Sequence, residues 1–164
     1  MYIMFKRVIL ICALILLSGC ASSKTYTNSD SKKLQLNTGV SKIHVELQGS
    51  GSREDATNQV TNALSIEGYR ISEANAEAGI IQTSEQEFDG DILGSSATIR
   101  LNITLEDSDT AVVNGEYINT SLLTGQDSWK TIEYGGPKGS QDTVSWNEIL
   151  DVAEKLGTVI EFSR

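Results

Sequence analysis

The side chains that most often perform catalysis or bind metal are scarce in this chain: one histidine, His44, and two cysteines, Cys12 and Cys20. His44 falls on the polar phase of an alternating segment whose apolar phase is Ile43, Val45 and Leu47. No serine or carboxylate spacing in the sequence marks it as a general base, so it reads as a surface histidine. A single histidine without free thiolates does not assemble a zinc site. Asp89-Gly90-Asp91 and Asp107-Ser108-Asp109 offer oxygen ligands, yet neither continues into the spaced ligands and closing glutamate of a calcium loop. Turn chemistry accounts for both. Gly135-Gly136-Pro137-Lys138-Gly139-Ser140 has the composition of a phosphate loop but the wrong spacing, and no buried strand feeds it into a helix. The expectation is therefore a protein with no catalytic residue, no metal ligand and no cofactor, and not an enzyme.

The informative cysteine is Cys20. Lys6 and Arg7 precede an unbroken apolar run from Val8 to Leu17, which is too short to span a bilayer and ends in small residues. The closing run Leu17-Ser18-Gly19-Cys20 resembles the lipobox of bacterial lipoproteins. That resemblance implies a signal peptide over residues 1–19 and lipidation of Cys20 as the first mature residue. One acyl chain anchors only marginally, and the two or three chains of the family hold firmly. Ala21, where an aspartate would favour inner-membrane retention, implies the outer membrane, with the domain facing the periplasm.

Charge narrows the partners. The 164-residue chain has 13 basic and 22 acidic residues; without Lys6 and Arg7 the mature chain has 11 against 22, a net charge of −11. Nucleic-acid binding draws its affinity from Lys and Arg neutralising phosphates, and no basic stripe follows the signal, so nucleic acid is not an expected partner. The same net charge argues against adsorption on anionic lipid and leaves membrane attachment to the acyl anchor. With Cys12 removed and Cys20 lipidated, no disulfide can form.

The elements that position any site follow from hydrophobic periodicity. Residues 20–38 are polar and aperiodic and read as the lipidated cysteine with a flexible tether, about 25 Å in reach as a random coil; Leu34 and Leu36 hint at docking or a first strand. One domain occupies 39–164. Strand alternation marks 43–47, 79–83, 98–106 and 111–118, the last two joined as a hairpin through Asp107-Ser108-Asp109. Ser52 with Asp55 forms a capping-box pattern before the helical spacing of Ala56, Val60, Ala63 and Leu64. Ser145 with Glu148 repeats it before Trp146, Ile149, Leu150, Ala153 and Leu156, and Val159 to Phe162 either prolong that helix or form an edge strand.

The expected fold is α+β, an antiparallel sheet of about four to five strands with two helices on one face, in the order β-α-β-β-β-α. Three segments carry a further resemblance: Leu64-Ser65-Ile66-Glu67-Gly68-Tyr69-Arg70-Ile71, Ala78-Gly79-Ile80-Ile81-Gln82-Thr83, and the hairpin begun by Arg100-Leu101. Over residues 42–120 this order resembles the helix-grip domains of envelope-assembly lipoproteins such as BamC. It is a likeness of element order and transfers no functional residue.

Binding residues are sought where the chain is long and irregular. Residues 121–143 are rich in Gly and Ser yet contain Trp129, Ile132 and Tyr134, and read either as a functional loop or as one more strand. Trp129 and Tyr134 are the candidate protein-binding residues, because aromatic side chains dominate interface energetics. Phe88, opening the Gly-rich stretch to Ser96, is a second candidate. The resulting expectation is a non-enzymatic lipoprotein that binds another envelope protein as an accessory or stabilising subunit. The alternative is a small-ligand or glycan-binding module with its pocket between the sheet and the helix from Ser145 to Leu156.

Overall fold

The computed structural model describes residues 23–89, 96–120, 126–137 and 140–164. Its elements run β1 (Ser23–Thr27), β2 (Lys33–Asn37), β3 (Lys42–Glu46), α1 (Arg53–Ile66), β4 (Ile71–Asn75), β5 (Ile80–Thr83), β6 (Gln86–Asp89), β7 (Ser96–Leu105), β8 (Thr110–Thr120), β9 (Asp127–Thr131), α2 (Gln141–Leu156) and β10 (Thr158–Ser163). The α+β class and the antiparallel pairing hold, but the strand number is corrected upward. Eight strands form one sheet, and β1 and β2 form a separate pair. Of the extra strands, β6 (Gln86-Glu87-Phe88-Asp89) shows no periodicity because it holds one aromatic among polar residues, whereas β9 (Asp127-Ser128-Trp129-Lys130-Thr131) is the strand alternative expected within residues 121–143. Backbone pairing alone defines β6.

The sheet is built on the long β7–β8 hairpin, and each of its flanks is split between two strands. On β7, β5 pairs along Asn102–Thr104 and β6 along Ser96–Ile99. On β8, β3 pairs along Thr110–Val113 and β9 along Glu116–Thr120. Side chain and backbone bridge the two breaks: Leu101 N–H donates to Thr83 Oγ1 at 2.9 Å, and Ile132 N–H donates to the Gly115 carbonyl at 2.9 Å. Gly115 is needed there, since a Cβ would press on Ile132, Ile149 and the Arg100 carbonyl at 2.9–3.1 Å. β10 and β4 form the two ends of the strand order, and a bulge interrupts the pairing of each.

Alternation gives the sheet one apolar face. Ile43, Val45, Ile81, Ile99, Leu101, Ile103 and Val113 are at most 1% exposed on it. Both helices cover that face, α1 through Ala56, Val60 and Leu64, α2 through Trp146, Ile149, Val152, Ala153 and Leu156. α1 starts as its capping box requires: Ser52 Oγ accepts from the Asp55 N–H. α2 starts earlier than the periodicity indicates. Its cap is Ser140, which accepts from the Thr143 N–H, while Ser145 is a buried residue one turn inside. The first turn is mostly polar, so apolar spacing becomes visible only at Trp146. At Gly157 the chain passes directly from α2 into β10, and a Cβ at that position would collide with the Glu46 carbonyl oxygen. The tail after α2 is thus a strand, paired with β3.

The expected tether is also corrected. Ser23–Asn37 is a hairpin packed on the domain, with Leu34 and Leu36 in the common core. Asn28 ties its turn down: its side-chain amide donates to the Val159 carbonyl at 2.7 Å and its Oδ1 accepts from the Lys32 N–H at 2.8 Å. Tyr26 stacks edge-on against Phe162 and donates its hydroxyl to Glu154 Oε1 at 2.6 Å. The folded unit therefore begins by Ser23. The signal segment and Cys20 lie outside the described residues.

Candidate functional site

With both helices on one side, the other sheet face carries side chains and no covering element among the described residues. β7 presents Thr98, Arg100, Asn102 and Thr104 there, and β8 presents Val112, Asn114, Glu116 and Ile118. Arg100 and Glu116 are direct cross-strand partners, and the guanidinium donates through Nε at 2.8 Å and Nη2 at 2.7 Å to Glu116 Oε2. Trp129, paired with Ile118 on β9, lies on the same face, and Arg100 stacks over its ring 4.2 Å from the centroid. A guanidinium held between a carboxylate and an indole is fixed in orientation, and the stack gains cation–π attraction. Beside it Gln82 donates to Asn102 at 2.6 Å, and Arg100 forms one wall of a cleft of about 450 Å³ with Ser72, Gln82, Thr83, Ser84 and Glu85.

The three candidate residues separate. Trp129 is half-buried on the open face, as a residue available to a partner must be. Tyr134 lies on the helix side, its ring 5.7 Å from that of Trp146, and its backbone bonds to Gly39 and Val40. Phe88 packs 5.8 Å from the Tyr69 ring against the core. Tyr134 and Phe88 are thus packing residues before they are contact residues. Arg100 and Glu116 carry no signal in the sequence because both sit on the polar phase of ordinary strands. Only the register that sets them opposite each other reveals the stack.

The same register assembles a chain around His44. Its Nε2 lies 2.8 Å from Ser163 Oγ and its Nδ1 3.9 Å from Glu106 Oε2. Serine, histidine and carboxylate are the parts of a nucleophilic triad, and catalysis would also require oxyanion donors and a substrate cleft beside them. β3 is paired on both sides, by β10 and β8, so ladder bonds engage its N–H groups and leave no oxyanion donors from that strand. Glu106 is half exposed, and none of the described clefts includes these residues. Among the described residues no group of three His, Cys, Asp or Glu is placed to hold a metal ion.

On the helix side, Lys130 Nζ lies 3.3 Å from Asp142 Oδ1, which also accepts from the Tyr117 hydroxyl at 2.7 Å. The Tyr117 phenol is pushed up by burial and by its bond to Asp142. The Lys130 ammonium is held above its ordinary range, first by Tyr117 and then by Asp142.

Fold and site together define a small α+β domain with one helix-covered and one open sheet face. No family model matches the chain, and no curated protein matches it. Among solved structures it is similar to a TBP-like protein from Parabacteroides distasonis at 15% identity and a TM-score of 0.41, over 70% of this chain and 90% of that one. At that level the likeness defines neither ligand nor role. No described helix is long and apolar enough to cross a membrane.

Proposed function

We propose that the protein is a non-enzymatic outer-membrane lipoprotein, anchored through Cys20, whose domain binds another envelope protein as an accessory or stabilising subunit. The observation that carries the binding half is the open sheet face with Trp129, Arg100 and Glu116 at its centre. Trp and Arg are the residue types on which interface energy concentrates, and here they are preorganised. Bulges in the pairing of β10 and β4 blunt those two edges against strand addition, because a bulge disrupts the ladder that an added strand would extend. The lipidated anchor and the outer membrane rest on the Leu17–Cys20 run and Ala21.

Burial along α2 weighs against the pocket expected for the ligand-binding alternative. Trp146, Ile149 and Leu156 fill the space between α2 and the sheet at 0–4% exposure. A small ligand would instead use the polar cleft beside Arg100.

In-cell crosslinking of the native protein, with covalent partners identified by mass spectrometry, tests the proposal. Capture of one defined envelope complex, lost in Cys20→Ala and weakened at least tenfold in Trp129→Ala with Arg100→Ala, is the expected result. Capture unchanged by the double substitution removes this face from the proposal. Covalent labelling of Ser163 by a serine-directed fluorophosphonate would overturn the non-enzymatic reading.

A further inference from the structure

The mature chain is acidic overall, yet its first described element is basic. Residues 21–41 contain Lys24, Lys32 and Lys33 against Asp30 alone, a net charge of +2; residues 42–164 contain 8 basic and 21 acidic residues, a net charge of −13. Four of the body's eight bases are engaged. Arg53 donates to the Glu77 and Glu106 carbonyls, Arg100 to Glu116, Lys130 to Asp142, and Lys155 to Glu67 and Asp151. The three hairpin lysines are exposed, and none pairs with a carboxylate among the described residues. The hairpin's outward row, Ser23, Thr25, Thr27, Lys33, Gln35 and Asn37, contains no acid, and Lys24, the register partner of buried Leu36, is exposed on the other phase at the open end of the hairpin.

Folding of the supposed tether also shortens the link to the anchor. From Cys20 to Ser23 there are three Cα steps, at most about 11 Å at about 3.8 Å each. That reach is comparable to one Debye length beyond a headgroup layer roughly 5–8 Å deep. Lys24 is then unavoidably near the surface. Lys32 and Lys33, at the far end of strands about 15 Å long, reach it only if the hairpin lies along the membrane.

We propose that the β1–β2 hairpin is a membrane-facing foot, its lysines seated on anionic phospholipid headgroups of the anchoring leaflet and the acidic body turned away. The foot depends on the lipidation reading of Cys20. It replaces the expectation that net charge leaves membrane contact to the lipid alone: at this distance the local charge, not the total, meets the surface field.

The test uses full-length protein purified with its lipid and reconstituted into neutral phosphatidylcholine or mixed phosphatidylcholine–phosphatidylglycerol vesicles. Gln35→Cys on the hairpin or Glu73→Cys on the opposite sheet edge is labelled with a fluorophore, and quenching by a headgroup-borne nitroxide is read. Strong quenching at 35 and little at 73, with quenching at 35 rising about twofold in anionic vesicles, is expected. Lys32→Glu with Lys33→Glu should return it to the neutral-vesicle value, as should high salt. Equal quenching at both positions, or no response to anionic lipid in protein that floats with neutral vesicles, overturns the foot and leaves the anchor standing. Protein that fails to float with neutral vesicles and carries no acyl mass overturns the lipidation reading and the foot with it.

Discussion

Trp129 and Tyr134 share one short segment and lie on opposite sides of the sheet, so substituting them has different consequences. Trp129→Ala should cost only about 1 kcal/mol in urea unfolding, the scale of a lost cation–π contact with partial burial. Tyr134→Ala removes a ring packed on Trp146 and should cost about 2–3 kcal/mol. Equal costs would contradict the separation. Tyr69 sets a pH dependence. Burial, followed by its hydrogen bond to Glu148, pushes its phenol well above the ordinary 10.0, so the unfolded phenol ionises first. The contribution is complete below pH 10 and falls as pH rises above it, because the unfolded state then holds fewer protons. Unfolding midpoints of Tyr69→Phe should decline less steeply above pH 10 than those of the parent.

The two helices show how a capping pattern gains or loses meaning from its surroundings. Ser52 and Ser140 cap their helices, whereas Ser145, which has a similar sequence signature, is buried with its hydroxyl unpartnered among the described residues. Thermal unfolding of Ser140→Ala should show a loss of about 1 kcal/mol. Ser145→Ala should be neutral or stabilising, since it removes a buried hydroxyl that has no bond. A comparable loss at Ser145 would return the helix start to where periodicity places it. The strands obey the same lesson. β7 and β8 are long enough for alternation to be read, but β6 and β9 hold one aromatic each and exist because an already formed neighbour offers unpaired backbone groups.

At the scale of the molecule, the β1–β2 hairpin makes residues 23–37 part of the fold. Leu36 is 4% exposed in the common core, so Leu36→Ala should lower the stability of the entire domain by about 2–4 kcal/mol in one cooperative transition. A change below about 0.5 kcal/mol, as expected of a residue in a tether, would detach the hairpin from the folded unit. If Cys20 is lipidated as proposed, the same hairpin sets how the acidic body is oriented, because only residues 21 and 22 separate Cys20 from Ser23.

The sequence by itself determined the α+β class, α1 with its cap, the long central hairpin and the apolar face beneath both helices. Each of these is encoded in local periodicity or in neighbouring residues. It also supplied the Leu17–Cys20 run on which the proposed lipidation rests, a linear motif. Tertiary structure alone decided that β10 closes the sheet, that residues 23–37 fold, that Trp129 and Tyr134 part company, and that Arg100 meets Glu116 and Trp129. These are long-range pairings set by strand register, and register depends on which backbone groups remain unpaired after the core has formed.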